Sequence, residues 1–335
     1  MSCWYLDEKN NNFVALSSRV RLARNISGLP FSAKMTAEMR KELNVKVKEA
    51  LLESNFPFAP KLKFISLSDV PQTEINAMVE RHIISPEFAS LPYERSIIIS
   101  EDESVCVMVG EEDHIRIQVI LGGMQLNEAY SLASSIDDLL ASKLNFAYDE
   151  ELGYLTECPT NLGTGMRASV MLHLPFINNG NKMNSIKDAI SKIGFTVRGM
   201  YGEGSKAKAS LFQISNQITL GITEQNAITN LTAIANQIID AEMYERNEID
   251  KIQLQDYVYR AYGILKYQRL LNTEEMFDLI SKIKVGISVG ILDIDKVIPN
   301  KILIETQPAM LIRKYGDKTP EERDALRAEI VRGLF

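Results

Sequence analysis

The run Glu157-Cys158-Pro159-Thr160-Asn161-Leu162-Gly163-Thr164-Gly165-Met166-Arg167-Ala168-Ser169-Val170 decides the reading of this chain. Its centre, Gly163-Thr164-Gly165, is a tight glycine loop that delivers an arginine onto a segment with strand periodicity. From Arg167 onward, Arg167, Ser169, Met171 and His173 alternate with Ala168, Val170, Leu172 and Leu174. A period of two sets the first group on one face of a sheet and the aliphatic group in the core beneath. Taken alone, such a loop also reads as a hairpin turn carrying a solvated charge.

The device recurs. Ser17-Ser18-Arg19-Val20-Arg21-Leu22 alternates Arg19 and Arg21 against Val20 and Leu22. Glu112, His114, Arg116 and Gln118 share one parity, and Arg198 opposes Phe195 and Val197. Arginines facing one way on neighbouring strands repel each other unless a polyanion sits among them. Their planar forks match phosphate oxygens and keep their charge at any working pH. The pattern predicts a triphosphate cradle.

Cys158-Pro159-Thr160-Asn161-Leu162-Gly163-Thr164-Gly165, Gly110-Glu111-Glu112-Asp113-His114-Ile115-Arg116 and Ser17-Ser18-Arg19-Val20-Arg21 resemble motifs of the ATP:guanido phosphotransferases, the phosphagen kinase family. With Arg198-Gly199-Met200-Tyr201-Gly202-Glu203 included, the chain is most similar to the bacterial protein-arginine kinase branch, from about residue 14 to 245 and again near the C-terminus. The resemblance implies a kinase that moves the γ-phosphoryl of ATP to arginine side chains of proteins in a bacterial stress response. It implies a cytoplasmic setting, a small zinc-binding activator, and a Clp-type unfoldase or protease as partners. The expected fold is α+β, a large antiparallel sheet flanked by helices, followed by an all-α C-terminal domain. The boundary is placed at 245, with 14–245 catalytic and 246–335 serving dimerisation and phosphoarginine sensing.

By the same resemblance, Glu112 is the catalytic glutamate and Glu203 a second glutamate that holds the guanidinium. Arg19, Arg21, Arg116, Arg167 and Arg198 go to the phosphates. Ser17, Ser18, Val20, His82, Ala168, Ser169, Val170, Met171, Gly199, Met200, Tyr201 and Gly202 border the nucleotide. The chemistry explains the acids. A guanidinium is protonated, and removing its proton at neutral pH costs roughly 7 kcal/mol, at ~1.36 kcal/mol per unit. A carboxylate that holds it in line can take the proton as the N–P bond forms. Mg²⁺ is expected to arrive with ATP, bound through phosphates and water.

Cys158 matches an active-site cysteine whose thiolate lies near the guanidinium, and it reads as well as a small buried hydrophobe. His114 and His173 read as structural, and three dispersed histidines make no metal site. Glu322-Arg323-Asp324-Ala325-Leu326-Arg327-Ala328 resembles the R-D-x-x-R-A motif through which the protein-arginine branch binds phosphoarginine. That assigns Arg323, Asp324, Arg327 and Ala328 to an allosteric site. Arg323 and Arg327 are i and i+4 on one helix face, a spacing that also describes an ordinary charged helix.

Length and composition bound the rest. At 335 residues and 45% apolar content, the chain allows one large domain or two. A net charge of −7 argues against a nucleic-acid surface and favours basic protein partners. Three cysteines without metal spacing fit a reducing cytosol. Acids near the N-terminus argue against a signal peptide, and no apolar run approaches the ~20 residues of a membrane span. No Gly-Lys-Ser/Thr follows the glycine loop, and no H-R-D or D-F-G set occurs. Residues 1–13 read as a mobile lead-in. Helices are expected over 36–54, over 75–83 carrying His82, over 127–144 and over 185–193, and strands over 96–99, 105–109 and 211–220. Helices follow from 224, and Thr319-Pro320-Glu321-Glu322 starts the last of them.

Two features bear on the acceptor. Gly110 stands where many kinases of free guanidines carry asparagine, and the arginine strand starts at residue 17. That leaves no room for the N-terminal helical domain of enzymes acting on free arginine or creatine, so an open acceptor side is expected. The rival readings are a free-arginine kinase and a non-catalytic adaptor that reads phosphoarginine. Retention of Glu112, Glu203 and five arginines argues against the adaptor.

Overall fold

The computed structural model describes residues 3–7, 13–53, 61–179, 182–200 and 208–335. Its strands are β1 (Ala15–Arg24), β2 (Leu62–Ser66), β3 (Ser96–Ser100), β4 (Val105–Val109), β5 (Ile115–Gly122), the short pair β6 (Tyr148–Asp149) and β7 (Gly153–Tyr154), β8 (Met166–His173), β9 (Phe195–Gly199) and β10 (Leu211–Asn216). Its helices are α1 (Ala37–Leu52), α2 (Gln72–Glu80), α3 (Pro86–Ser90), α4 (Leu126–Ala141), α5 (Pro175–Asn179), α6 (Lys182–Ser191), α7 (Glu224–Asn247), α8 (Lys251–Tyr267), α9 (Thr273–Ser288), α10 (Val297–Glu305), α11 (Pro308–Tyr315) and α12 (Pro320–Arg332).

Eight strands form one antiparallel sheet in the order β2-β3-β4-β5-β1-β8-β10-β9. The long β1 lies inside it, between β5 and β8. Register then does what parity alone cannot. Arg21 stands opposite both Arg167 and Gln118, Arg19 opposite Ser169, and Gln213 opposite Arg198. Residues directly opposite share a face, so the arginines of β1, β5, β8 and β9 point the same way.

The other face is aliphatic. Val20, Leu22, Ile117, Ala168, Val170 and Ile214 are buried there with residues of α1, α4 and α7. Thr36 caps α1 through Met39 N–H, and Thr223 caps α7 through Asn226 N–H, which fixes where each helix begins. Among the described residues, the arginine face is covered at its two sides. Over β3 and β4, Ile97, Ile99, Cys106 and Met108 pack on Ile75, Met78 and Phe88 of α2 and α3. At the other side, Ile120, Met200 and Leu211 pack on α8, α9 and α10. The cleft lies between these two lids.

Several expectations shift. Trp4–Leu6 forms a single 3-10 turn with Trp4 and Tyr5 buried, so this part of the expected lead-in is core. Helix α2 ends at Glu80 with Arg81 as its C-cap, and His82 lies beyond it with φ of 61°, a left-handed backbone through which the helix cannot continue. Strand β10 stops at Asn216, whose side chain bonds Ala168 N–H at 2.8 Å and Met166 O at 3.1 Å and so replaces ladder continuation. Strand β5 begins at Ile115, which leaves Glu112 and His114 in the preceding loop.

Candidate active site

The cleft on the arginine face is a space of about 1290 Å³ whose walls include Arg19, Arg21, His82, Glu112, Arg116 and Arg198. A second chamber of about 620 Å³ shares Arg21, Glu112 and Arg116 with it and adds Arg167 and Cys158. Five arginines expected at the phosphates therefore converge on one continuous space with Glu112 at the junction.

The electrostatics are strained in the way a polyanion would relieve. Arg19 Nη2 donates to Gln213 Oε1 at 2.9 Å. Burial first, then Arg116 and Arg167, push the Arg19 pKa down to about 10. Burial, Arg19, Arg116 and Arg167 push Arg21 well below its ordinary value. Arg21 Nε is buried and has no acceptor among the described residues. A buried donor with no acceptor costs ~1–3 kcal/mol, and phosphate oxygens are the matching group.

The acid loop is built rather than solvated. Glu111 is buried, forms the close ion pair with Arg116, and accepts the Glu112 N–H at 2.8 Å. This leaves Glu112, with 43% of its side chain exposed, 3.6 Å from Arg116 Nη2 and facing the chamber. Burial raises the Glu112 pKa against the lowering effect of Arg116. Asp113 accepts from Asn25 Nδ2 at 2.7 Å and from Glu157 N–H at 2.8 Å, which ties the loop to the turn carrying Cys158. His114 Nδ1 accepts from Ile26 N–H at 3.0 Å, so Nε2 carries the proton and donates to Pro30 O at 2.8 Å. Its role is structural, and burial lowers its pKa.

The glycine loop needs its glycines. Gly165 has φ of 61°, and a Cβ there would meet Ala23 O at 2.7 Å. Arg24 Nη1 holds the loop through Thr164 O at 3.1 Å while its Nη2 pairs with Asp137 at 2.7 Å. Cys158 stands at the start of the 3-10 turn Pro159–Asn161 that precedes the loop, with Sγ 3.1 Å from Thr160 Oγ1, and is partly exposed to the chamber. A thiol there can tune charge near an acceptor without bonding to phosphorus. Cys158→Ala should lower turnover by about tenfold, roughly one charge-assisted hydrogen bond, with no phosphocysteine trapped in rapid-quench mass spectrometry.

Not every expected residue faces the cleft. Ser18, Val20, Ala168 and Val170 turn their side chains to the opposite face, as strand parity dictates. Ser18 Oγ donates to Gly123 O at 2.7 Å and accepts from Gln125 N–H at 2.8 Å. Ser17, Ser169, Met171 and Met200 do face the site, and Gly199 pairs with Phe212 in the sheet. His82 is buried, and burial, then Arg19, lowers its pKa to about 3, so it stays neutral. Tyr201, Gly202 and Glu203 lie outside the described residues. Gln213, which bonds Arg19, lies outside the sequence motifs, and Gln118 has a role beyond its parity. Gln118 holds the carbonyls of His82 and Ile83 at 2.9 Å each. Both sit on the arginine parity of their strands, which was the available signal.

Helix α12 carries the proposed sensing motif on a complete capping box at Thr319 and Glu322. Arg323 is half-buried and bonds Lys318 O at 2.6 Å. Arg327 is 1% exposed and committed to Thr306 O at 2.8 Å, Leu271 O at 2.6 Å and Asp324 at 2.6 Å. Ala328 is buried in the core shared with α8–α10. The two arginines thus differ. Arg327→Ala leaves buried carbonyls unpaired and should cost about 2–4 kcal/mol in urea unfolding, whereas Arg323→Ala should cost under about 1.

An antiparallel sheet presenting five arginines and a raised-pKa glutamate to one cleft defines a phosphagen-kinase fold with a phosphotransferase site. The ATP:guanido phosphotransferase C-terminal catalytic domain family matches residues 42–245, and the protein-arginine kinase McsB C-terminal domain family matches 251–335. The chain is 42% identical to the protein-arginine kinase of Clostridium kluyveri, covering 99% of this chain and 98% of that one. It is 40% identical to that of Halothermothrix orenii, covering 99% and 96%. A lombricine kinase crystal structure superposes with a TM-score of 0.62 at 23% identity, over 71% of this chain and 70% of that one. The chain belongs to the ATP:guanido phosphotransferase family, in its protein-arginine kinase branch.

Proposed function

We propose that the protein transfers the γ-phosphoryl of ATP to the guanidinium of arginine side chains in proteins. The observation that carries this is the convergence of Arg19, Arg21, Arg116, Arg167 and Arg198 on a cleft bordered by Glu112. The arginines hold the triphosphate and gain strength on the transferring group. Glu112 holds the acceptor guanidinium in line and takes its proton as the N–P bond forms and the bond to the leaving ADP oxygen breaks. Glu203 is assigned the second guanidinium contact. Mg²⁺ enters as part of the nucleotide substrate; among the described residues no cluster of His, Cys, Asp and Glu is arranged to hold a metal.

Full-length similarity to proteins called protein-arginine kinases supports a protein acceptor over free arginine. A cytoplasmic role in stress response, with a zinc-binding activator and a Clp-type partner, follows from the same branch. No helix among the described residues is long and apolar enough to cross a membrane. The two family matches meet between 245 and 251, which supports a boundary near 245. Ile252, Tyr259, Tyr267 and Leu270 are exposed along and just after α8, which supports self-association through the helical region. Phosphoarginine sensing is assigned to Arg323 and Asp324, with Arg327 and Ala328 anchoring their helix. The test is Mg-ATP offered with free arginine or with an arginine-rich protein, followed by mass spectrometry for acid-labile N-phosphate. Product on free arginine alone sinks the protein-acceptor reading.

A further inference from the structure

Beside the arginine cleft lies a narrow, largely apolar pocket that shares Arg19, His82, Met200 and Gln213 with it. Its floor is the sheet, through Ser17, Ser169 and Met171. Its remaining walls come from the ends of the sequence. Trp4 and Tyr5 supply one, and Asn300, Leu303 and Ile304 of α10 supply another. The turn is clipped in place on both sides. Trp4 Nε1 donates to Arg81 O at 3.3 Å, its ring meets His82 edge-on at 6.1 Å, and Tyr5 OH donates to Glu305 Oε1 at 3.4 Å.

A purine nucleotide has the same division, a flat apolar base on a polyanionic tail, and the pocket meets the arginine cleft at Arg19. We infer that the N-terminal turn and α10 form the wall of the nucleobase site, with Asn300 its specificity-determining polar group. The helical region is then part of the nucleotide site rather than an appendage to it. Lys284 Nζ donates to Asn300 Oδ1 at 2.8 Å, so the amide oxygen is engaged by the lysine. The Asn300 NH₂ is the group left to donate to a ring nitrogen of the base. Binding that bridges two packed bodies also stabilises their docking, by linkage. This inference rests on the cleft being an ATP site.

The chain contains one tryptophan, so emission reports Trp4 alone. ADP should shift that emission and slow hydrogen exchange over α10, whereas inorganic tripolyphosphate, which fills the arginines without a base, should do neither. Asn300→Asp keeps an acceptor for Lys284 and removes the donor. It should raise the ATP KM about tenfold at unchanged kcat, while inhibition by tripolyphosphate stays as in the parent. Equal responses to ADP and tripolyphosphate overturn the inference, as does an Asn300→Asp KM within twofold of the parent. If the parent makes no phosphoarginine but ADP alone moves Trp4, the proposed reaction falls and the nucleobase wall stands.

Discussion

Glu112→Gln is expected to cut turnover by about 10²–10⁴ while the ATP KM stays within twofold, because general-base assistance is worth that much and the arginines are untouched. The amide can still accept a hydrogen bond from the acceptor guanidinium, so geometry survives and only the proton sink is lost. The pH profile separates this from a positional effect. Burial raises the Glu112 pKa, and the base form is lost as pH falls through that raised value. The parent's kcat/KM should therefore fall off on the acid side at a higher pH than an ordinary glutamate would give, and the mutant should lack that limb. Stability should move the other way. A carboxylate whose folded pKa is raised carries its penalty above that pKa, so the glutamine protein should melt no lower than the parent at neutral pH. Comparable turnover in the mutant at matched ATP affinity would remove Glu112 from the base role.

What the sequence disclosed follows from which interactions are local. Parity along β1 and β8 is a property of neighbouring residues, so Arg19 and Arg21 on one strand and Arg167 on another could each be set opposite the aliphatic residues of their own strand from spacing alone. Which strands neighbour one another is not local. The position of β1 between β5 and β8 brings Gln118 level with Arg21, and no spacing in the sequence states it. Parity and motif single out Glu112 over its neighbour Glu111, but the buried pairing of Glu111 with Arg116, which sets Glu112 at the chamber, is not stated by any spacing. Trp4 and Tyr5 precede a polar stretch and look dispensable until α10, nearly the whole chain away, closes over them. Arg327 has the spacing of a surface clamp, and its burial is decided by carbonyls at Leu271 and Thr306 that belong to other elements. Sequence pattern reported the chemistry of each element, and the packing between elements sorted the working residues from the supporting ones.

Arg21→Met should give a protein that melts higher than the parent in the absence of nucleotide and turns over at least about 10² more slowly, since one lost donor on a transferring group costs that much. The stability gain is the unusual half. Arg21 is crowded by Arg19, Arg116 and Arg167, which together with burial hold its pKa well below the ordinary value, and its Nε has no acceptor among the described residues. Methionine keeps the length of the stem, removes the like-charge repulsion and leaves no unsatisfied donor. Each kcal/mol relieved raises the melting temperature by about 2 °C in a chain of this size. Arg21→Lys is the control: it keeps the charge and the repulsion, so it should gain little stability while losing the bidentate geometry. Adding tripolyphosphate should invert the order, because a ligand that binds the parent more tightly stabilises it by more. Calorimetric melts of the three proteins, with and without tripolyphosphate, decide the matter. If Arg21→Met melts below the parent without anion, the residue is a structural strut and the cradle has to be rebuilt around the remaining four arginines.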